Sequence, residues 1–326
     1  MALFNSARSL GRCENITAVW DAYEGDKRFV GGAKGLGGFI DVSNEPEDVI
    51  VTDEFVKAKR PGQVIVMIAH GLTGGKLYGN DQPDGIFKRE PGGCELTDWY
   101  VTSSEHGRRF AASAAGIPIE RTVALGMPRT DAYFGVERGD GGIDWAQGRT
   151  VYLYAPTFRS RYDAPMEHPS FKRISKLLRD DEVLIFKRHM NSHANYIQTK
   201  LEHVVEVPSA AASIPYLIDC DVVATDFSSI MFDAHVLGRP VVLTADGDDP
   251  YLGTRGMYMD YPKDYASRWI AAKGNEERFV AHLRAAAETG PRWADRRCRE
   301  RTAGACDGHS AERVAEFVLS LEARRV

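Results

Sequence analysis

The stretch Asp221–Pro240, DVVATDFSSIMFDAHVLGRP, passes from an apolar run straight into a helical pattern. Val222 to Thr225 reads as a short strand, while Ile230, Met231, Ala234 and Leu237 recur at helical spacing. Between them stand Asp226, Ser228 and Ser229, whose oxygens suit the free N–H groups of a helix start. A helix start just after a parallel strand also suits an anion, because its N–H groups and macrodipole both favour negative charge. This stretch alone leaves capping and phosphate binding both open.

Similar apolar runs recur along the chain. Ile16–Trp20, Asp48–Thr52, Val64–Ala69, Trp99–Thr102 and Thr122–Leu125 read as strands in the first half. Val151–Ala155, Val183–Lys187, His203–Val207, Val222–Thr225 and Val241–Thr244 do so in the second. Uniformly apolar runs point to parallel sheets covered on both faces, and helical stretches such as Ser104–Ala115 and Phe171–Leu178 make the order strand, helix, strand. The polar, glycine-rich segment Glu137–Gly142 reads as an interdomain linker. The expected organisation is α/β, with two Rossmann-like domains over residues 1–142 and 143–306. A C-terminal helix in 307–326 has Ser310 as its cap, and Val314, Phe317, Val318 and Leu321 lie on the face that packs on a domain surface. Val30–Phe39 lacks the G-x-G-x-x-G spacing of a dinucleotide site and reads as a loop or hairpin.

With 326 residues, 43% hydrophobic and 27% charged, the chain has the composition of a soluble globular protein of two domains. Its net charge of -5 gives no general attraction to nucleic acid or an anionic membrane, so any basic site is local. No apolar run reaches the roughly 18 residues of a membrane span. The opening MALFNSARSLGRC lacks a signal-peptide core, although its few charges leave a peripheral membrane contact open. Five scattered cysteines without a CxxC pair point to reduced thiols and a cytoplasmic setting. Cys306 and His309 lack further ligands nearby, and Asp246, Asp248 and Asp249 read as a polar loop, so neither a metal nor another cofactor is expected.

Ligands of open parallel sheets collect beyond the carboxyl ends of strands. Four polar clusters stand directly after strands here: His70 to Lys76, Thr157 to Arg159, Lys187 to His193, and Asp226 to Ser229. Singly, each has a structural explanation. Together, the cations Arg159, Lys187 and Arg188 with the hydroxyls of Thr157, Ser228 and Ser229 form an inventory suited to a diphosphate. No Walker pattern is present.

The stretches AHGLTGGKLYG (Ala69–Gly79), VTSSEHGRRFAASAAGIPIERTVALGMPRTDAYF (Val101–Phe134), LYAPTFR (Leu153–Arg159), IFKRHMNSH (Ile185–His193) and the segment Thr225–Tyr261 together resemble the CDP-glycerol glycerophosphotransferase family, the teichoic-acid primases and polymerases. The resemblance runs over roughly residues 64–262 and rests on the combination of G-x-P-R-x-D, YAPT-x-R and D-x-SS-x-x-x-D. It implies a GT-B architecture, with two Rossmann-like domains facing a cleft, a CDP-alcohol donor on the C-terminal domain and an acceptor hydroxyl, lipid-linked or polymeric, on the N-terminal one. His70 matches the histidine of the family's His-Gly motif, the candidate base, and His189 stands at the second histidine. Thr157, Arg159, Lys187, Arg188, His193, Asp226, Ser228, Ser229 and Asp233 fall to the donor, and Gly71, Thr73, Lys76 and Arg129 to the acceptor side. Departures from the family occur at several points: Met190 stands where it usually has proline, with His193 as a rival to His189; Lys187 and Arg188 add unusual positive charge; and the amino-terminal domain reads as short, without the expected membrane-binding extension of the large polymerases.

The same residues would serve a GT-B glycosyltransferase that moves a sugar from a nucleotide-sugar donor to a glycan, a lipid or a modified nucleic-acid base. A catalytically silent nucleotide-binding module is the third reading. Tyr251, Tyr258 and Tyr261 are candidates to stack on a base.

Overall fold

A computed structural model describes residues 2–6, 14–31, 39–53, 55–68, 71, 74–82, 96–157, 168–189, 197 and 200–324. The chain divides into two compact units, residues 1–134 with 300–326, and residues 135–299.

The first unit carries β1 (Ala2–Ser6), α1 (Glu14–Ala22), β2 (Lys27–Gly31), β3 (Phe39–Asp41), β4 (Val49–Thr52), β5 (Phe55–Ala58), β6 (Val64–Ile68), β7 (Trp99–Thr102), α2 (Glu105–Ala115) and β8 (Thr122–Ala124). Six strands pair in the order β2-β1-β4-β6-β7-β8, every pairing parallel, and β3 and β5 form a separate parallel pair. Leu3, Ile50 and Ile65 pack with Ile40, Val42 and Val56 into one apolar cluster. Each such side chain contributes about 1.5–3 kcal/mol by leaving water.

The second unit carries β9 (Thr150–Tyr154), α3 (Phe171–Leu177), β10 (Glu182–Lys187), β11 (Val204–Val207), α4 (Ile214–Asp219), β12 (Val222–Thr225), α5 (Ile230–Val236), β13 (Val241–Leu243), α6 (Pro250–Arg255), β14 (Arg268–Trp269) and α7 (Glu276–Thr289). Its sheet is also all parallel, in the order β11-β10-β9-β12-β13-β14. The core joins Tyr154 and Phe186, stacked with centroids 5.6 Å apart, to Phe279 and Leu283 of α7. α8 (Trp293–Ala303) straddles the chain position where the units divide, and α9 (Ser310–Ala323) belongs to the first unit.

Several expectations need correction. Ile16–Trp20 is helix, not strand: Ile16, Val19 and Tyr23 are all buried, a spacing of three and four that a strand would split between faces. The strands β1, β2, β3, β5 and β14 were not foreseen. Around the glycine-rich segment, β2 and β3 lie in different sheets, so these flanks do not form a hairpin; residues 32–38 lie outside the described residues. The Glu137–Gly142 segment is held to the second unit, because the Asp219 carboxylate accepts from Gly139 N at 2.8 Å, Gly141 N at 3.0 Å and Ile143 N at 2.9 Å. Ser310 is the first residue of α9 rather than its side-chain cap. The Asp131 carboxylate takes that place, accepting from Ser310 N at 3.0 Å and Ala311 N at 2.7 Å. Val314, Val318 and Leu321 are buried as expected, and Phe317 meets Trp99 edge-on at 5.3 Å.

Candidate active site

β9 and β12 are neighbours in space but far apart in the chain, and the strand order of the second sheet reverses between them. Such a reversal opens a crevice outside the carboxyl ends of the two strands, where parallel sheets hold ligands. The residues that leave these ends are Ala155-Pro156-Thr157 and Asp226-Phe227-Ser228-Ser229. β10, which leads into Lys187, Arg188 and His189, lies on the other side of β9. Three of the four polar clusters read from the sequence therefore end adjacent strands of one sheet.

The two loops are tightly braced. Ala155 N donates to Ala224 O at 2.9 Å, Thr225 Oγ1 to Ala155 O at 2.7 Å, and Thr157 N to Asp226 Oδ1 at 2.7 Å. Phe227 is buried between Tyr251, stacked at 5.0 Å, and Tyr261 at 4.6 Å. The Tyr261 hydroxyl donates to Ala245 O at 3.2 Å. Tyr251 and Tyr261 thus hold the loop from behind and do not offer a stacking face to a base. Tyr258 is half-buried.

Capping explains little of the two serines. Ser229 occupies the N-cap position of α5 but makes no side-chain cap bond, and it is exposed. Ser228 is half-buried, and among the described residues its Oγ accepts a long 3.5 Å contact from Ile230 N. Both hydroxyls remain available at the crevice. Asp233 is buried on the first turn of α5.

The cationic cluster looks different in three dimensions. Lys187 is buried, and its Nζ donates to Arg188 O at 2.9 Å and Ser209 O at 3.1 Å. Burial, together with the neighbouring Arg188 charge, lowers its pKa below the usual lysine range. The guanidinium of Arg188, also buried, pairs with Glu206, which in turn accepts from Ile197 N at 2.9 Å. These two cations brace the strand end, while His189 is exposed.

Of the other candidates, His70, Thr73, Arg159 and His193 lie outside the described residues. Gly71, Lys76 and Arg129 are half-buried in the first unit, and Arg129 N donates to Asn15 Oδ1 at 2.9 Å. The G-x-P-R-x-D stretch is in large part a clasp for the end of the chain. Asp131 caps α9, and Gly126 has φ 96° with no space for a side chain: a Cβ there would stand 2.7 Å from Ala305 O. Neither this clasp nor the Asp226 brace could be read from spacing, since their partners lie 179 and 69 residues away.

Among the described residues, Asp180, Glu202 and His203 offer ligand atoms within 4.8 Å of one another. They precede β10 and β11, at the opposite strand ends from the crevice. Arg149 Nη2 lies 3.1 Å from His203 Nδ1, and a guanidinium can only donate. His203 Nε2 lies 3.8 Å from Asp180 Oδ1 and 3.9 Å from Glu202 Oε2. Asp249, in the loop after β13, caps α6 by accepting from Tyr251 N at 2.9 Å. Cys306 Sγ lies against Ser103 O, and His309 Nδ1 lies 3.1 Å from Glu312.

The family model for CDP-glycerol:poly(glycerophosphate) glycerophosphotransferases matches residues 44–320. The chain belongs to this family. This glycerophosphotransferase-family chain is 29% identical over 174 residues to the teichoic acid poly(ribitol-phosphate) polymerase of Bacillus spizizenii, a match covering 49% of the chain and 28% of that protein. It is 27% identical over 219 residues to the teichoic acid ribitol-phosphate polymerase TarK of Staphylococcus aureus, covering 62% and 42%. It thus spans less than half the length of these relatives. Among solved structures, the wall teichoic acid polymerase TagF superposes with a TM-score of 0.75 at 17% identity, over 100% of this chain and 89% of that one. A TagF variant soaked with CDPG gives 0.73 at 17% identity, over 100% and 90%. The fold of this glycerophosphotransferase-family member is GT-B-like, an α/β fold with two six-stranded parallel sheets.

Proposed function

We propose that the protein transfers a glycerol-phosphate or related polyol-phosphate from a CDP-alcohol to an acceptor hydroxyl and releases CMP, in the synthesis of a teichoic-acid-like polymer. Family membership over most of the chain supports the reaction class. The observation that carries the reading is the reversal of strand order between β9 and β12, with the accessible Ser228 and Ser229 beside Thr157 at its mouth. The CDPG soaked into TagF supports a cytidine-diphosphate donor.

In this reading the second unit binds the donor. Thr157, Ser228 and Ser229 hydrogen-bond its phosphates, Arg159 and one of His189 and His193 supply positive charge, and Lys187, Arg188 and Asp226 form the frame behind them. The first unit binds the acceptor through Gly71, Thr73, Lys76 and Arg129. The acceptor oxygen attacks the β-phosphorus, the bond from that phosphorus to the bridging oxygen breaks, and CMP leaves with the electron pair. His70 takes the hydroxyl proton. Positioning and electrostatic stabilisation of the leaving phosphate supply most of the acceleration. A lipid-linked acceptor would bring the reaction to a membrane surface, by peripheral contact. No helix among the described residues is long and apolar enough to cross a membrane.

The test is to incubate the protein separately with CDP-glycerol, CDP-ribitol and UDP-sugars and to assay CMP and UDP. CMP release dependent on an acceptor is expected. Exclusive UDP release overturns the reading in favour of a glycosyltransferase, and nucleotide binding without turnover in favour of a silent binding module.

A further inference from the structure

Asp226 stands between the two loops that leave the sheet at its reversal. It is 3% exposed, and its Oδ1 accepts from the backbone N of Thr157 at 2.7 Å. Its Oδ1 is thus engaged by a protein N–H, and negative charge directed at a diphosphate would repel it. Thr157 is itself 7% exposed, and its Oγ1 is buried without a hydrogen-bond partner among the described residues. A buried hydroxyl in that condition is costly, and an incoming phosphate oxygen relieves it.

We infer that Asp226 is a positioning residue: its carboxylate holds the Thr157 backbone so that Thr157 Oγ1 is presented to a phosphate oxygen of the donor, which Asp226 itself does not touch. This rests on the proposal that the second unit binds a CDP-alcohol donor. The sheet explains why such a tie is needed. The pairing of β9 with β12 ends at Tyr154 and Ala224, and the bonds of Ala155 extend it by one residue. Thr157 lies beyond that ladder, where the Asp226 side chain takes over the work of a strand partner. Asp226 is fixed from its own side by Phe227, wedged between Tyr251 and Tyr261.

Asp226→Asn keeps an oxygen that can accept from Thr157 N and removes the charge, whereas Asp226→Ala removes both. The experiment measures CDP-glycerol and CDP-ribitol binding by calorimetry and amide exchange at Thr157 in the full chain. The Asn variant is expected to bind donor within about threefold of wild type with Thr157 still protected. The Ala variant should weaken donor about tenfold or more and expose the Thr157 amide to fast exchange. Thr157→Val should match the Ala variant in binding, and Thr157→Ser should stay near wild type. An Asn variant as weak as the Ala variant, with Thr157 still protected, would show the charge acting on the donor and overturn the inference. So would unchanged Thr157 exchange in the Ala variant. If the Ala variant does not fold, the Asn variant and the Val/Ser pair decide. Wild-type protein that binds neither CDP-alcohol defeats the functional reading and the presentation of the hydroxyl, while Thr157 exchange in the Ala variant still decides the tie.

Discussion

Asp131 caps a helix that starts far along the chain, at Ser310: its two carboxylate oxygens accept from Ser310 N at 3.0 Å and Ala311 N at 2.7 Å. The first turn of a helix leaves N–H groups without intrahelical partners, and a carboxylate there satisfies them and favours the positive end of the dipole. Asp131→Ala should lower stability by about 1–2 kcal/mol, and Asp131→Asn by less. Denaturant midpoints measure both. An unchanged midpoint for the Ala variant would remove the cap.

Gly126 lies on the same clasp, with φ 96° and a hypothetical Cβ 2.2 Å from Ser310 Oγ. Gly62 has a similar φ of 89° but nothing within 4 Å. Both Gly→Ala changes incur backbone strain of about 1 kcal/mol. Only Gly126→Ala adds the steric clash, so it should cost about 2 kcal/mol more than Gly62→Ala. Equal losses in thermal melts would contradict the close approach of the C-terminal segment.

Glu182 gives the stability of the second unit an acid limb. Burial alone would raise its pKa, but the Arg284 guanidinium, with Nε at 2.8 Å and Nη2 at 2.6 Å, outweighs this together with Arg179 N and the Tyr152 hydroxyl, and holds it at about 2 against an ordinary 4.5. A carboxyl lowered by folding stabilises fully above its unfolded pKa and loses that contribution as pH falls toward the folded one. The loss should therefore run from about pH 5 down to about pH 2. Glu182→Gln should be less stable at neutral pH and flatten this limb, as urea midpoints across the range would show. A limb of unchanged steepness would assign it to other groups.

Lys187 directs its ammonium at two backbone carbonyls. Lys187→Met should lower stability by about 1–3 kcal/mol by leaving those acceptors without their charged donor. Donor affinity in the folded variant should stay within about threefold of wild type. A large rise in donor Kd at unchanged stability would place the ammonium on the phosphates instead.

His70→Ala should abolish transfer while CDP-alcohol binding survives, since a general base touches the acceptor and not the donor. Turnover in that variant close to wild type would remove His70 as the base.

Much of this protein was legible from residue order because the relevant signals are local. β-Branched apolar runs between helical patterns announced parallel, two-faced sheets, and the polar residues at the carboxyl end of each run marked the loops at Thr157, Lys187 and Asp226. The one run wrongly read as a strand, Ile16–Trp20, failed because β-branched content was weighed over spacing, and the spacing is helical.

Which loops become neighbours, and which polar groups answer one another, emerged only with the folded chain. The order β11-β10-β9-β12-β13-β14 brings Thr157 beside Asp226, pairs Arg188 with Glu206 and turns Lys187 inward, giving both cations protein partners. Residue order was enough for the kinds of donors and acceptors present and for their place at strand ends. Periodicity records which face of an element is buried, but a hydrogen bond depends on the position of a partner many residues away, and tertiary packing sets that distance.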